Sequence, residues 1–270
     1  MKNSIRILLL MRIALGVEYD GAHFCGWQSQ PQKCGVQDSL EEAIKHIAEH
    51  DIRIHAAGRT DTGVHALMQV VHFETDANRP LTAWVRGVNA FLPATVRVVW
   101  AHHVSEDFHA RFSATQRHYQ YLLINQPTAS AIFADKAGWY HLPLDVAAMQ
   151  AAIGYLQGEH DFSAFRASEC QAKTPIRNLT AATITTHVES IVFNFSANAF
   201  LQHQVRNMVG ALIYVGNGKH PPEWIKNLLA EKNRTLSPPT FSPNGLYLTG
   251  VVYDAKYNLP NTQRQLNFMR

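Results

Sequence analysis

Two periodicities alternate along this chain, and they do so in the same order twice. Ile13, Leu15, Val17 and Tyr19 recur at every second residue, the spacing of one strand face. Val36, Leu40, Ala43, Ile44 and Ile47 then fall on one side of a helix. Ser39 and Glu42 stand in the S-x-x-E register of a capped helix start. Two apolar stretches at 52–56 and 68–73 follow as strands. A second helix gathers Leu81, Trp84, Val85, Val88 and Phe91 before Pro93 closes it, and 96–104 reads as a further strand. The order is β-α-β-β-α-β.

From residue 119 the order repeats. Tyr119, Tyr121 and Leu123 alternate. Val146, Met149, Ile153 and Leu156 take helical spacing behind Asp145 as N-cap, with Gly158 past the helix end. Strands are expected at 180–187 and 191–197, then a helix through Leu201, Val205, Met208, Val209, Leu212 and Ile213. A short helix opening at Pro222 and a last strand through Leu246, Leu248, Gly250 and Val252 complete the pattern. This predicts an α+β fold of two ferredoxin- or RRM-like βαββαβ units, with antiparallel sheets and an active-site cleft between them. The units are expected at 11–106 and 107–255. Residues 1–10 are expected to be an extension, with Met11 as the true start: Arg12 interrupts the apolar run 7–10 and no small-residue cleavage site follows. Residues 125–144 carry little pattern and read as irregular loop, and 256–270 as a loose polar tail.

Composition narrows the class. A chain of 270 residues with 46% hydrophobic and 17% charged content has material for a sizeable core, and no stretch approaches the length of a membrane span. A net charge of +3 permits nucleic-acid binding without demanding it. Arg59, Arg111, Arg117, Lys173 and Arg206 are the candidates for a local basic surface. Three cysteines, Cys25, Cys34 and Cys170, are too few and scattered for a disulfide framework, form no CxxC pair for zinc, and suit a reducing cytosol.

The gap between the strands at 52–56 and 68–73 holds Gly58-Arg59-Thr60-Asp61-Thr62-Gly63-Val64-His65-Ala66. One carboxylate lies between two glycines, which permit φ > 0 and close approach of another backbone or ligand. Arg59 beside it favours the ionised form. An ionised carboxylate on a stiff loop suits nucleophilic or general-base chemistry, although an Asp in such a turn commonly caps its own backbone. The string resembles the catalytic loop of the TruA-type tRNA pseudouridine synthases, whose signature is Gly-Arg-Thr-Asp followed by Gly-Val-His. The similarity runs from about residue 12 to residue 253. It implies an isomerase that converts uridine to pseudouridine at positions 38, 39 and 40 of the tRNA anticodon arm, with Asp61 as nucleophile on a flipped-out base. It further implies no cofactor, no metal, a cytoplasmic homodimer and tRNA as partner. Whether Asp61 attacks the ribose C1′, adds to uracil C6 or works through a glycal stays open.

Other segments carry a plain reading and an implied one. The aromatic-rich loop 19–31 reads as packed structure and resembles the family's N-terminal signature, with Ala22 where a hydroxyl residue is usual. Phe108, His109, Ala110, Arg111 and Phe112 read either as a linker anchored by two phenylalanines or as a basic-aromatic grip on RNA. The resemblance gives them a part in flipping the nucleotide. Tyr119 is implied to stack on the uracil and to serve as general base, whereas Tyr121 on the same strand face reads as core. Arg206 lies off the apolar stripe of its helix, and the resemblance pairs it with Asp61. Glu169, Cys170, Gln171, Ala172 and Lys173 read as a polar loop and are implied to contact tRNA. Leu246 reads as a core strand residue and is implied to close the uracil pocket.

Two other classes compete. A non-catalytic RNA-binding protein with paired RRM-like sheets would show the RNP aromatic string, which is absent, and would leave the Asp61 loop without purpose. A metallohydrolase on His55, His65, His102 or His103 lacks HExxH or deaminase spacing.

Overall fold

The computed structural model describes residues 10–188 and 190–266. The expectation for residues 1–10 therefore lies, apart from Leu10, outside the described residues. Among the described residues ten strands form one mostly antiparallel sheet, and helices pack on it to give a mixed α+β fold. The first half runs β1 (Met11–Tyr19), α1 (Val36–Ala48), β2 (His55–Ala56), β3 (His65–Thr75), α2 (Val88–Phe91) and β4 (Val96–Val104). The second runs β5 (Ala114–Asn125), β6 (Gly138–Tyr140), α3 (Val146–Ile153), β7 (Gly158–Asp161), β8 (Ile176–His187), β9 (Ser190–Ala197), α4 (Gln204–Gly216), α5 (Trp224–Glu231) and β10 (Leu246–Tyr253).

Spatially the strands run β4-β1-β3-β10-β5-β9-β8-β7, with β2 on β3 and β6 on β5. Each half thus contains the same arrangement: β4-β1-β3-β2 in the first and β10-β5-β9-β8 in the second. The halves meet where β10 pairs in parallel with β3, Tyr247 beside His65 and Leu248 beside Ala66. β2 occupies the other end of the same β3 edge, beside Val71 and His72. Two neighbours share one edge, and the chain between β2 and β3 leaves the sheet at the seam.

Alternation explains the core. Ile13, Leu15 and Val17 of β1 and Val71 and Phe73 of β3 are buried with Leu40, Ile44, Trp84 and Val88. Tyr121, Leu123, Phe193 and Phe195 are buried with Met149, Met208 and Leu212. Tyr119 packs against both clusters, so it stands at the seam. The intervening strand residues Leu122, Ile124 and Val192 make a small cluster of their own with Tyr247 and Ala137.

Several local expectations change. The start of α1 is capped by Asp38, whose Oδ2 accepts from the Gly35 amide at 3.0 Å, and the Ser39–Glu42 register is not used. The second helix carries a π turn at Ala83–Gly87 before α2. Asp145 does cap α3, accepting from the Ala148 amide at 2.9 Å, while α5 opens at Trp224, after both prolines. The stretch 125–144 contributes β6, and the short β7 extends the far edge. Cys25 and Cys34 are disulfide-bonded, with Cα atoms 5.4 Å apart in a turn closed by the Cys25 amide on the Cys34 carbonyl. Cys170 is free and buried.

The tail up to residue 266 is not loose. The Arg264 amide donates to Thr249 O at 2.8 Å, its guanidinium meets Glu18 at 2.5 Å, and the Leu266 amide donates to Gln120 Oε1 at 2.8 Å. A polar tail suits this face because β5 presents Gln120 there.

Gly245 decides how closely β10 approaches β5. Its carbonyl accepts from the Leu122 amide at 2.8 Å, and a Cβ would come 2.3 Å from Leu122 O and 2.6 Å from Gly138 N. Both are backbone atoms held by pairing and cannot yield. Gly245→Ala is expected to lose about 2–3 kcal/mol in denaturant unfolding. A change below about 0.5 kcal/mol, the ordinary surface value, would show that the β10–β5 pairing tolerates separation.

Candidate active site

The chain between β2 and β3 is pinned from several directions. The Ala57 amide donates to Val70 O at 2.8 Å, and buried Gln69 donates to Gly58 O at 2.7 Å. Thr60 O accepts from the Trp27 amide at 2.9 Å, while its hydroxyl meets the Tyr19 hydroxyl at 2.8 Å. Gly63 has φ +79°, the left-handed region that glycine adopts without strain, and the turn closes with the Val64 amide on Asp61 O at 3.1 Å. Gly26, at φ +92°, lets the 25–34 turn lie against this loop: a Cβ there would be 2.9 Å from Thr60 O. The loop is stiff because neighbouring elements satisfy its backbone groups.

Asp61 is left half-buried, with its side chain 26% exposed. Arg206 Nη1 donates to Asp61 Oδ2 at 3.1 Å, and the same guanidinium donates through Nε to Phe241 O at 2.8 Å. His203 Nε2 lies 3.5 Å from the same carboxylate oxygen. Arg206 and His203 both come from the start of α4, three residues apart, and His203 is its N-cap in the left-handed conformation, φ 63°. The positive end of the α4 dipole adds to the pull on a nearby anion. Asp61 and Arg206 are 145 residues apart in sequence and belong to different halves.

Arg59 is exposed, and among the described residues the ion pairs of Asp61 are those with Arg206 and His203. The support expected from Arg59 therefore comes from α4. Nothing in the sequence reading selected His203, although its three-residue offset from Arg206 placed the two on one helical face.

β5 sends alternate residues to this side. Tyr119 packs edge-on against Phe200, ring centres 5.1 Å apart. Burial pushes its hydroxyl above the usual range, the charge of Asp61 pushes it further, and Arg117 opposes them. Tyr121 is buried and donates to Ser242 O at 2.9 Å, as its core reading implies. Leu246 pairs directly with Tyr121 across β10 and β5, so it shares that face and is buried.

The segment 108–112 divides. Phe108 and Ala110 are buried, with Phe108 against His72, Tyr253 and Tyr257, so neither presents a side chain to a ligand. Arg111 is exposed and Phe112 is 76% exposed, with the Arg111 guanidinium 5.7 Å from the Phe112 ring centre. His109 Nδ1 accepts from the amides of Arg111 and Phe112 at 3.1 and 3.3 Å and fixes that turn. The loop 169–173 divides likewise: Cys170 is buried and Ala172 packs on the second core, while Glu169, Gln171 and Lys173 are exposed. Among the candidate basic residues, Arg117 and Arg206 are committed to internal partners, and Arg59, Arg111 and Lys173 stay exposed.

Comparison with known proteins bears on this site. A family model described as tRNA pseudouridine synthase matches residues 16–113 and 152–254. The chain belongs to that family. It is 62% identical over 256 residues to the tRNA pseudouridine synthase A of Methylobacillus flagellatus, covering 95% of this chain and 98% of that protein. It is 59% identical over 250 residues to the enzyme of the same name from Nitrosomonas eutropha, covering 93% and 90%. Among solved structures, the archaeal box H/ACA sRNP Nop10-Cbf5 complex aligns at TM-score 0.37 and 13% identity, over 74% of this chain and 43% of that one. The chain is thus an isomerase acting on uridine in tRNA, and the reading as a catalytically silent RNA-binding protein falls away. Among the described residues no group of His, Cys, Asp or Glu is arranged to hold a metal ion, and no helix is long and apolar enough to cross a membrane.

His55, one of the histidines considered for metal, packs instead with His72 and His109, ring centres 4.6 to 5.4 Å apart. His72 Nδ1 accepts from the Ala110 amide at 3.2 Å, so the ring is neutral. Burial, reinforced by His109, His55 and Arg12, pushes its pKa down to about 3. A depressed folded-state pKa makes the contribution of His72 complete above about pH 6.5, and it is lost as pH falls towards 3. His72→Asn keeps an acceptor near Nδ1 without a titrating ring. The stability lost between pH 7 and pH 4 in urea unfolding is expected to shrink by on the order of 1 kcal/mol. Identical pH profiles for the two proteins would contradict it.

Proposed function

We propose that Asp61 is the nucleophile of a pseudouridine-forming isomerase that acts at positions 38, 39 and 40 of the tRNA anticodon arm. The observation that supports this most is the Asp61–Arg206 pair at 3.1 Å, a partly exposed carboxylate hydrogen-bonded to a guanidinium at the seam of two half-sheets. Isomerisation breaks the N1–C1′ bond, turns the uracil and forms a C5–C1′ bond. N1 gains a proton and C5 loses one, so no redox partner is required. Attack at C1′, addition at C6 and elimination to a glycal all begin from an ionised carboxylate. Arg206 Nη1 donates to that carboxylate, and His203 Nε2 lies 3.5 Å from the same oxygen.

Tyr119 lies where it can stack on the uracil and take part in moving the C5 proton, and Leu246 bounds the pocket beside it. Burial and the charge of Asp61 together hold the phenol protonated at rest. A covalent bond at Asp61 would remove that charge and ease loss of the phenol proton, so the phenolate that takes the C5 proton is reached more readily after attack than before. Arg111 and Phe112, exposed on a turn fixed by His109, are suited to hold an extruded nucleotide, since the chemistry cannot proceed inside a base stack. Glu169, Gln171 and Lys173 offer contacts further along the RNA. The enzyme works in the cytoplasm as a homodimer, with residues 11–106 and 107–255 as its two units.

Asp61→Asn is expected to form no detectable pseudouridine in anticodon-arm RNA while keeping tRNA affinity within about threefold, because phosphate contacts carry most of the binding. Arg206→Ala is expected to slow turnover roughly hundredfold, the scale seen when one charge-stabilising donor is lost. Combined with Asp61→Asn it should add little, since the two act as a unit. Turnover by the Asp61 variant would overturn the assignment.

Tyr119→Phe keeps the ring and removes the hydroxyl. A proton-transfer role predicts loss of most of the single-turnover rate with tRNA affinity retained. A near-normal rate for Phe and a poor one for Tyr119→Ala would leave stacking alone.

A further inference from the structure

Arg117 sits two residues before Tyr119 on the same face of β5. Its guanidinium is spent on backbone carbonyls: Nη1 donates to Ala114 O at 3.0 Å and Asn198 O at 2.8 Å, and Nη2 to Ala57 O at 3.1 Å and Arg111 O at 2.6 Å. Those carbonyls belong to different pieces of the site. Ala57 opens the loop that carries Asp61. Arg111 lies in the exposed turn with Phe112, and Ala114 begins β5. Asn198 lies in the approach to His203 and Arg206. Among the described residues no carboxylate is within ion-pair distance of Arg117, so its partners are peptide dipoles alone.

We propose that Arg117 is a positioning residue for the reaction: it locks the Asp61 loop and the Arg111–Phe112 turn into one geometry, so that nucleophile and extruded nucleotide meet in register. This rests on the function proposed above. A planar guanidinium with donors on both ends can reach four carbonyls at once. A lysine ammonium has three donors at one point and cannot span them. Arg117 is thus unavailable to phosphate, contrary to its place among the basic-surface candidates. Tyr253 anchors the same turn, its hydroxyl donating to Ala110 O at 2.7 Å. Small misplacements of reacting groups slow a reaction far more than they weaken binding.

The test is Arg117→Lys in the full-length protein, beside wild type and Asp61→Asn. It measures single-turnover pseudouridine formation, tRNA affinity at several salt concentrations, melting, and hydrogen exchange. The expected result is a rate lowered about tenfold or more, tRNA affinity within about threefold, and an unchanged salt slope. Exchange should rise in both 57–63 and 109–113. A normal rate would overturn the proposal. So would a flattened salt slope with weakened binding, which marks a phosphate ligand, or exchange raised evenly through the sheet, which marks a general framework role. If Arg117→Lys does not fold, Tyr253→Phe, which frees only the Ala110 carbonyl, carries the test. A wild-type rate despite raised exchange at 109–113 would then overturn the coupling. Turnover by Asp61→Asn, or none by wild type, would overturn the underlying function as well; an active wild type, an inactive Asp61→Asn and a normal Arg117→Lys overturn this inference alone.

Discussion

The outer edge of β3 is divided between two strands, and the site follows from that division. β10 takes His65 and Ala66, and β2 takes Val71 and His72. A strand edge left open carries unpaired amides and carbonyls, so each part must find a partner. Because the second half of the chain supplies one of them, the two half-sheets become continuous. The residues between β2 and β3 must then leave the sheet where the halves join. The Asp61 loop is at the seam for topological reasons, before any side chain is considered.

A charge placed at such a seam needs support from both sides. In partial burial a carboxylate loses hydration, and the loss is offset only by well-directed hydrogen bonds and opposite charge. The loop's own half supplies rigidity: Gln69, Tyr19 and the Trp27 amide hold its backbone and hydroxyl groups. The other half supplies charge through Arg206 at the start of α4, with the His203 ring beside it. The segment just before β10 holds β5 and α4 in place, accepting Tyr121 at Ser242 O and Arg206 at Phe241 O, and reaches the first half where His65 Nε2 lies 3.1 Å from Asn244 O. Rigidity without the charge would leave a strained carboxylate, and charge without rigidity would leave a mobile one.

The repeated strand and helix order was legible because period-two and helical spacing are local signals, and the buried faces of β1, β5, α1 and α4 follow them. The Asp61 loop was legible because its string is long and distinctive, and Arg206 because the resemblance extended to it. What escaped lay in short elements, in turns and in contacts that only the fold creates. β6 and β7 are too short to show a period. The Asp38 cap beat the Ser39–Glu42 register because the helix starts at Val36, one turn earlier than that register implies. The Cys25–Cys34 bond needed the turn before α1, which spacing alone did not reveal. The tail found order because the sheet face opposite the Tyr119 ring offers Gln120 to the Leu266 amide and the Leu122 cluster to its side chain.

Burial decides the remaining differences, and it acts residue by residue inside what looked like uniform motifs. In 108–112 and again in 169–173 the sequence presents a continuous string, whereas the chain turns some members into a core and leaves others in solvent. The arginines show the same principle most clearly. Arg59, beside Asp61 in sequence, faces water; Arg206, far away, meets the carboxylate; and Arg117 binds carbonyls. A guanidinium carries the same charge in all three places. Its role is set by what the fold brings within about 3 Å of it, and at this seam the fold brings a carboxylate to one arginine and four peptide oxygens to another.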